Sequence, residues 1–289
     1  MYSLPSLLYP LLLAVAVPQA SGLALPLDDS SSSSSSSWSS GAAVLRPRAD
    51  TSGMPRPQLG SIPYGVDITT CNNPNMVAIT FDDGPCPYTP KLLDILESNN
   101  VKATFFVVGS NGNGLINDES TGMPATLRRM HAAGHHIGSH TWTHADLMTL
   151  TTEQRRAEVE NNEGAIADVL GLVPTYLRPP YTSCDAGCMG DLGRFGYHVA
   201  DYNVDTLDWE GDYDRARSIY SSALSGADPK TSSFISLEHD IQERTVDELA
   251  QYLIDTAKQY GYQLVTMGEC LGDPVGNWYR NPTTGQAWQ

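Results

Sequence analysis

Val77-Ala-Ile-Thr-Phe-Asp-Asp-Gly-Pro-Cys86 is the stretch from which the rest of this chain is read. An apolar, β-branched run leads into two adjacent carboxylates, Asp82 and Asp83, and then into Gly84-Pro85. The pattern is a buried strand that stops at a turn, in paired negative charge. Side chains alternate along a strand, so the two carboxylates point in different directions. They are therefore ill placed to flank one glycosidic bond, as a glycosidase pair must. They suit a division of labour in which one holds a cation and the other handles a proton. Taken alone, Asp-Asp-Gly is equally the solvated turn that closes many strands. The residues downstream weigh against that bland reading.

After this stretch, strands alternate with helices. Met76–Phe81, Ala103–Val108, His136–His140, Tyr176–Pro179, Tyr197–Val204, Phe234–Leu237 and Gln263–Met267 read as strands. Thr89–Glu97, Pro124–Ala133, Thr151–Leu170, Met189–Phe195, Tyr213–Leu224 and Val246–Tyr260 read as helices. Thr151 and Gln154 are spaced as a capping box, and Gly171 is the expected stop. The alternation predicts a parallel sheet with helical crossovers. Seven strands in one run fit a barrel better than two domains, with an open doubly wound sheet as the alternative.

A barrel of this kind carries its active site at the C-terminal ends of the strands. Asp82 and Asp83 end the first strand, and His140 ends the third with His144 just beyond. Arg178-Pro-Pro-Tyr181 ends the fourth, Asp205-Thr-Leu-Asp-Trp209 the fifth, and Leu237-Glu-His239 the sixth. His140 and His144 with Asp83 make a three-ligand set suited to Zn²⁺ or another divalent ion. Such an ion makes water easier to deprotonate and polarises a carbonyl. Asp82 is then the candidate base, Arg178 the group that fixes it, and His239 the acid with Asp205 as its orienting carboxylate. The two prolines leave Tyr181 with the first free backbone N–H, a candidate oxyanion donor. Trp209 and Leu237 can wall a pocket sized for a methyl group. Singly, each has a plain core or surface reading; together they describe hydrolysis of an acyl bond.

The flanks bear on compartment. Residues 1–20 read as a signal peptide, with an apolar run from Leu7 to Val17 too short to span a bilayer. Residues 21–66 read as a Ser-rich linker or pro-segment, with an unbroken Ser30–Ser37 run and a candidate cleavage point near Arg46-Pro-Arg48. Residues 274–289 read as a tail beyond the domain at 67–273. The chain has five cysteines, which in an oxidising compartment suggest two bridges and one left over. Cys184 and Cys188 can staple a local loop, and Cys71 and Cys270 bracket the domain. A formal net charge of −16 argues against nucleic acid and anionic membrane as partners. No membrane anchor is expected, and the chain reads as a monomer.

Thr80-Phe-Asp-Asp-Gly-Pro85, His140-Thr-Trp-Thr-His144, Arg178-Pro-Pro-Tyr181, Asp205-Thr-Leu-Asp-Trp209 and Leu237-Glu-His239 resemble, in order, the five motifs of the polysaccharide deacetylases, carbohydrate esterase family four, with its NodB-type domain. The resemblance covers about Asn75 to Leu271. It implies a distorted, incomplete (β/α) barrel and Zn²⁺ or Co²⁺ on Asp83, His140 and His144. It also implies Asp82 as base, His239 as acid, and N-deacetylation of N-acetylglucosamine units. Flanking text such as Gly138–His144 and Asn277-Trp-Tyr279 is most similar to the secreted fungal chitin deacetylases of that family. Chitin or chitooligosaccharide is the substrate so implied, with pairing of Cys71 to Cys270 and of Cys184 to Cys188. Acetylxylan esterases and peptidoglycan deacetylases share the machinery. Non-haem Fe(II) oxygenases share the two-His, one-carboxylate set but need neither Asp82 nor His239. A sugar-binding protein without activity would be expected to have lost one of these groups.

Overall fold

The computed structural model describes residues 49–289. The signal peptide, the serine run and the Arg46-Pro-Arg48 cleavage point lie outside the described residues. Nine strands form the principal sheet: β1 (Asp67–Ile68), β2 (Met76–Asp82), β3 (Thr104–Val107), β4 (His136–Ser139), β5 (Tyr176–Leu177), β6 (His198–Ala200), β7 (Val204–Asp205), β8 (Phe234–His239) and β9 (Gln263–Val265). Their order is β1-β6-β5-β4-β3-β2-β8-β7, every pairing is parallel, and β9 pairs with the start of β2. Helices α1 (Thr89–Ser98), α2 (Met123–Ala132), α3 (Thr152–Leu170), α4 (Ala186–Arg194), α5 (Tyr213–Ser225), α6 (Ala250–Gln259) and α7 (Met267–Leu271) complete the α/β architecture. β1 and β7 end the order unpaired with each other, so the sheet is a curled half-barrel.

β2 is buried from Val77 to Asp82. That explains why it reads as a continuous apolar run rather than as an alternation. Its side chains join those of Leu92 and Leu96 on α1, Phe105 and Phe106 on β3, and Ile235 on β8 in one core. The α3 start is as expected: the Thr151 side chain accepts from Gln154 N–H, and the Gln154 side chain accepts from Thr151 N–H. The helix stops at Gly171, whose φ of 71° suits glycine.

The sequence reading of Tyr197–Val204 as one strand is corrected. The chain leaves β6, which pairs with β1 and β5, and re-enters as β7 beside β8. The break at 201–203 is the seam of the half-barrel, and Arg178 fills it. Its Nε donates to Ala200 O at 3.0 Å and its Nη2 to Asp201 O at 3.0 Å. Carbonyls released from the sheet thereby keep partners.

Two boundaries also change. Residues 49–66 are not linker: Arg56 pairs with the fully buried Glu163 at 2.7 Å, Thr51 donates to the same carboxylate, and Met54 packs against Ala167 and Val173. Serine composition ends well before residue 66, and the apolar and basic residues after it find sites on α3. The 274–289 stretch is likewise docked, with Tyr279–Arg280 pairing antiparallel with Val173–Pro174 and Trp278 buried. Cys71 is bonded to Cys270 and Cys184 to Cys188, while Cys86 is free and buried. No helix among the described residues is long and apolar enough to cross a membrane.

Candidate active site

The C-terminal ends of β2, β4, β5, β7 and β8 surround one cavity of about 450 Å³. Its lining includes Asp82, Asp83, His140, His144, Arg178 and His239. Parallel register sets Asp82 on β2 directly beside His239 on β8, and Leu237 beside Thr80. The polar groups that the sequence places on five separate strand ends do meet.

Asp82 is 2 % exposed, and its Oδ1 accepts from Arg178 Nη1 at 2.9 Å. The same nitrogen donates to Thr80 Oγ1 at 2.7 Å, and the guanidinium lies over the Phe106 ring. Arg178 is thus fixed by the seam carbonyls, a hydroxyl and an aromatic face, and it presents one N–H to the carboxylate. This is a buried, charge-assisted contact rather than a surface ion pair.

Asp83 turns out of the strand towards two imidazoles. Its Oδ1 lies 3.1 Å from His144 Nε2 and 3.5 Å from His140 Nε2. His140 Nδ1 donates to Arg178 O at 2.7 Å, which leaves the Nε2 lone pair facing Asp83. His144 Nδ1 meets the Tyr181 hydroxyl at 3.1 Å. The His140–His144 loop is tied down from outside, since Thr143 donates through both N–H and Oγ1 to Glu158 on α3.

The charge states are consistent with ligation. Burial alone would raise the Asp83 carboxyl, but His144, His140 and His239 hold it at about 2. Burial depresses His140 and so favours its neutral form. The ligand atoms of Asp83, His140 and His144 lie within 4.8 Å of one another. Asp83 Oδ1 is buried and carries no hydrogen bond. An orphaned carboxylate oxygen facing two imidazole nitrogens has the unmet bonding capacity that a divalent cation satisfies. The residues present fit such an ion.

The structure corrects one assignment. His239 Nδ1 donates to Asp208 Oδ1 at 2.7 Å, and His239 N–H donates to Asp208 Oδ2 at 2.8 Å. Asp205 instead accepts from Leu207 N–H at 2.8 Å and lines the cavity half-buried. Leu207 adopts φ 57°, which swings the chain so that Asp208, not Asp205, comes under the imidazole. Thr245 Oγ1 also donates to Asp208. Burial works against a charge on His239, yet Asp208, with Asp82 and Asp83 nearby, lifts its pKa to about 9. With Nδ1 engaged by Asp208, Nε2 is the ring nitrogen left over on a residue that lines the cavity.

Trp209 and Leu237 both line the cavity, the indole exposed at the rim and the leucine nearly buried. Tyr181, largely exposed, also lines the cavity and holds a left-handed conformation (φ 59°, ψ 14°). Sequence reasoning also missed Asn111, whose Nδ2 donates to Asp83 O and Pro85 O and braces the turn. Only the short Ser110–Asn111/Gly114–Leu115 hairpin brings it there.

A carboxylate and two imidazoles, a buried Asp–Arg pair and an imidazolium on one barrel rim define a metal-dependent hydrolase. Comparison with known proteins narrows the class. The polysaccharide deacetylase family model matches residues 69–200. A chitin deacetylase of Colletotrichum lindemuthianum is 46% identical over 246 residues, covering 84% of this chain and 96% of the relative. One from Pestalotiopsis sp is 44% identical over 240 residues, covering 83% and 78%. The solved structure of the chitin deacetylase from Colletotrichum lindemuthianum superimposes with a TM-score of 0.73 at 47% identity, over 76% of this chain and 97% of that one. The chain belongs to the polysaccharide deacetylase family, whose members are hydrolases dependent on a divalent metal.

Proposed function

We propose that this chain is a secreted chitin deacetylase. It removes N-acetyl groups from N-acetylglucosamine units of chitin or chitooligosaccharides, releasing acetate and leaving glucosamine. The observation that carries the reading is the parallel register of Asp82 and His239, base and acid abreast on neighbouring strands beside Asp83, His140 and His144. The likeness to two fungal chitin deacetylases supports the substrate. The two disulfides and the signal-like start support an extracellular setting.

Asp83, His140 and His144 would hold Zn²⁺ or Co²⁺, which supplies Lewis acidity to water and to the acetyl carbonyl. Asp82, held by Arg178, takes a proton from the attacking water. The Tyr181 N–H, first after two prolines, donates to the oxyanion that develops on the carbonyl. His239, charged through its contact with Asp208, gives its proton to the departing amine nitrogen. The C–N bond breaks, one water is consumed, and acetate and a free amine leave. Trp209 and Leu237 wall the space for the acetyl methyl.

The test is acetate release from chitotetraose, from acetylated xylan and from peptidoglycan, each with chelator and then with Zn²⁺ or Co²⁺ restored. Metal-dependent release from chitotetraose is expected, with little from xylan. Preference for xylan would move the chain to O-acetyl esterase work with the same residues. Release from peptidoglycan alone would move it to that polymer, and release from none would refute the enzymatic reading.

A further inference from the structure

The Arg178-Pro-Pro-Tyr181 turn touches Asp82 and both imidazoles of the candidate metal site. Its first residue pins Asp82 through the guanidinium and His140 through the backbone carbonyl. Its last residue reaches His144 by the phenol, with the hydroxyl 3.1 Å from Nδ1 and the ring centroids 4.6 Å apart at 68°. We propose that the Tyr181 hydroxyl is a positioning group for the metal site: it accepts from His144 Nδ1–H, fixes the ring, and leaves Nε2 as the ligand atom.

Three observations carry this. First, the two imidazoles are held differently. His140 is almost wholly buried and has a fixed backbone acceptor, whereas a quarter of the His144 side chain is exposed and its Nδ1 meets only the Tyr181 hydroxyl among the described contacts. A ligating histidine needs such an acceptor on its far nitrogen to set tautomer and orientation. Second, Tyr181 holds a left-handed backbone (φ 59°), which a bulky residue rarely adopts without reason. Pro179 and Pro180 fix the approach to it, and that conformation directs the ring across to His144. Third, Tyr181 as a residue is 69% exposed, so core packing does not explain its place. The hydroxyl contact does.

This inference rests on the metal-dependent reading above and concerns metal affinity, so it is tested without substrate. Zn²⁺ affinity of the folded chain is measured by competition with a chelating dye for wild type, Tyr181→Phe and Tyr181→Ala. Co²⁺ absorption spectra report the ligand geometry of each. Tyr181→Phe keeps the ring and loses only the hydroxyl; it is expected to bind Zn²⁺ about 10–100-fold more weakly. Its Co²⁺ bands should shift, while the melting midpoint of the metal-free protein stays at the wild-type value. Tyr181→Ala should resemble Tyr181→Phe. Tyr181→Phe affinity within twofold of wild type, with an unshifted spectrum, overturns the proposal even if the wild type is a metal-dependent deacetylase. So does weakening confined to Tyr181→Ala, which would credit the ring and not the hydroxyl. A wild-type chain that binds neither ion would remove the metal reading itself.

Discussion

Asp208→Asn separates the observed acid assembly from the one the sequence suggests. Asp208 is fully buried and accepts from His239 Nδ1, His239 N–H and Thr245 Oγ1. The ion pair lifts His239 from its ordinary value near 6.5 to about 9 against the effect of burial. That is about 3 kcal/mol of preference for the imidazolium, at about 1.4 kcal/mol per pH unit. Asparagine keeps the shape but has one acceptor oxygen. If that oxygen serves His239 N–H and Thr245, its amide N–H faces Nδ1 and forces a neutral imidazole. With the charge gone, His239 returns to about 6.5 or below. At pH 8 the protonated fraction then drops from about nine-tenths to about three-hundredths, a loss of about 30-fold in the acid form. The assay is acetate release from chitotetraose between pH 5 and 10, metal saturating, for wild type, Asp208→Asn and Asp205→Asn. The basic limb of the kcat profile should move towards acid by about two and a half units in Asp208→Asn and by well under one in Asp205→Asn. A cation at the site lowers all three values together, so the differences stand. An unmoved limb in Asp208→Asn, or a larger shift in Asp205→Asn, would refute the reasoning.

The base, the bridges and a buried acid can each be tested in turn. Asp82→Ala should lower turnover by about 10²–10⁴ while Zn²⁺ binding persists, whereas His140→Ala should lose both; metal content and acetate release measured on the same samples check this. Opening Cys71–Cys270, which spans 199 residues, should destabilise by about 5 kcal/mol on the chain-entropy model, against about 2 for Cys184–Cys188, which spans 4; urea midpoints of Cys270→Ser and Cys188→Ser compare them. Burial raises the Asp240 carboxyl to about 7, so the folded state resists its ionisation. This penalty is absent below the unfolded value near 4, grows as pH rises through 7, and is full above it. Asp240→Asn should therefore gain a few kcal/mol over wild type at pH 8 and almost none at pH 4, read from denaturation midpoints at the two pH values.

The parts of this molecule legible in the sequence are those fixed by local pattern. β2 could be placed because an apolar run ended in Asp-Asp-Gly-Pro, and α3 because Thr151, Gln154 and Gly171 mark its ends. Strand ends share one rim in a parallel barrel, so the clusters on them were expected to converge, and they do. Other features were set by single torsions or distant contacts. Asp205 and Asp208 are equally plausible partners for His239 on paper; the left-handed turn at Leu207 decides for Asp208. Residues 49–66 have a linker's composition at their edge, but Arg56 finds a buried carboxylate more than a hundred residues away on α3. The seam between β6 and β7 carries no mark of its own, because Arg178 stands in for the missing ladder from another strand.

The paired carboxylates show how a sound expectation can rest on an incomplete reason. Alternation along a strand was the ground for expecting Asp82 and Asp83 to diverge. In fact β2 ends at Asp82, and Asp83 has already left it with φ 75°. The divergence comes from the turn. That turn is tight enough to exclude a side chain at Gly84, where a Cβ would sit 2.2 Å from Asp240 Oδ2. Asn111 then braces its far side. The consequence is a difference in setting between neighbours. Asp82 lies in the sheet with Arg178 across from it, whereas Asp83 stands on the braced turn and faces the two imidazoles of the His140–His144 loop. A base must hold one position relative to water, and a ligand must adjust to its ion. For the proposed roles of base and ligand, the strand end followed at once by a turn meets both needs, so shifting the turn by one residue should remove both together.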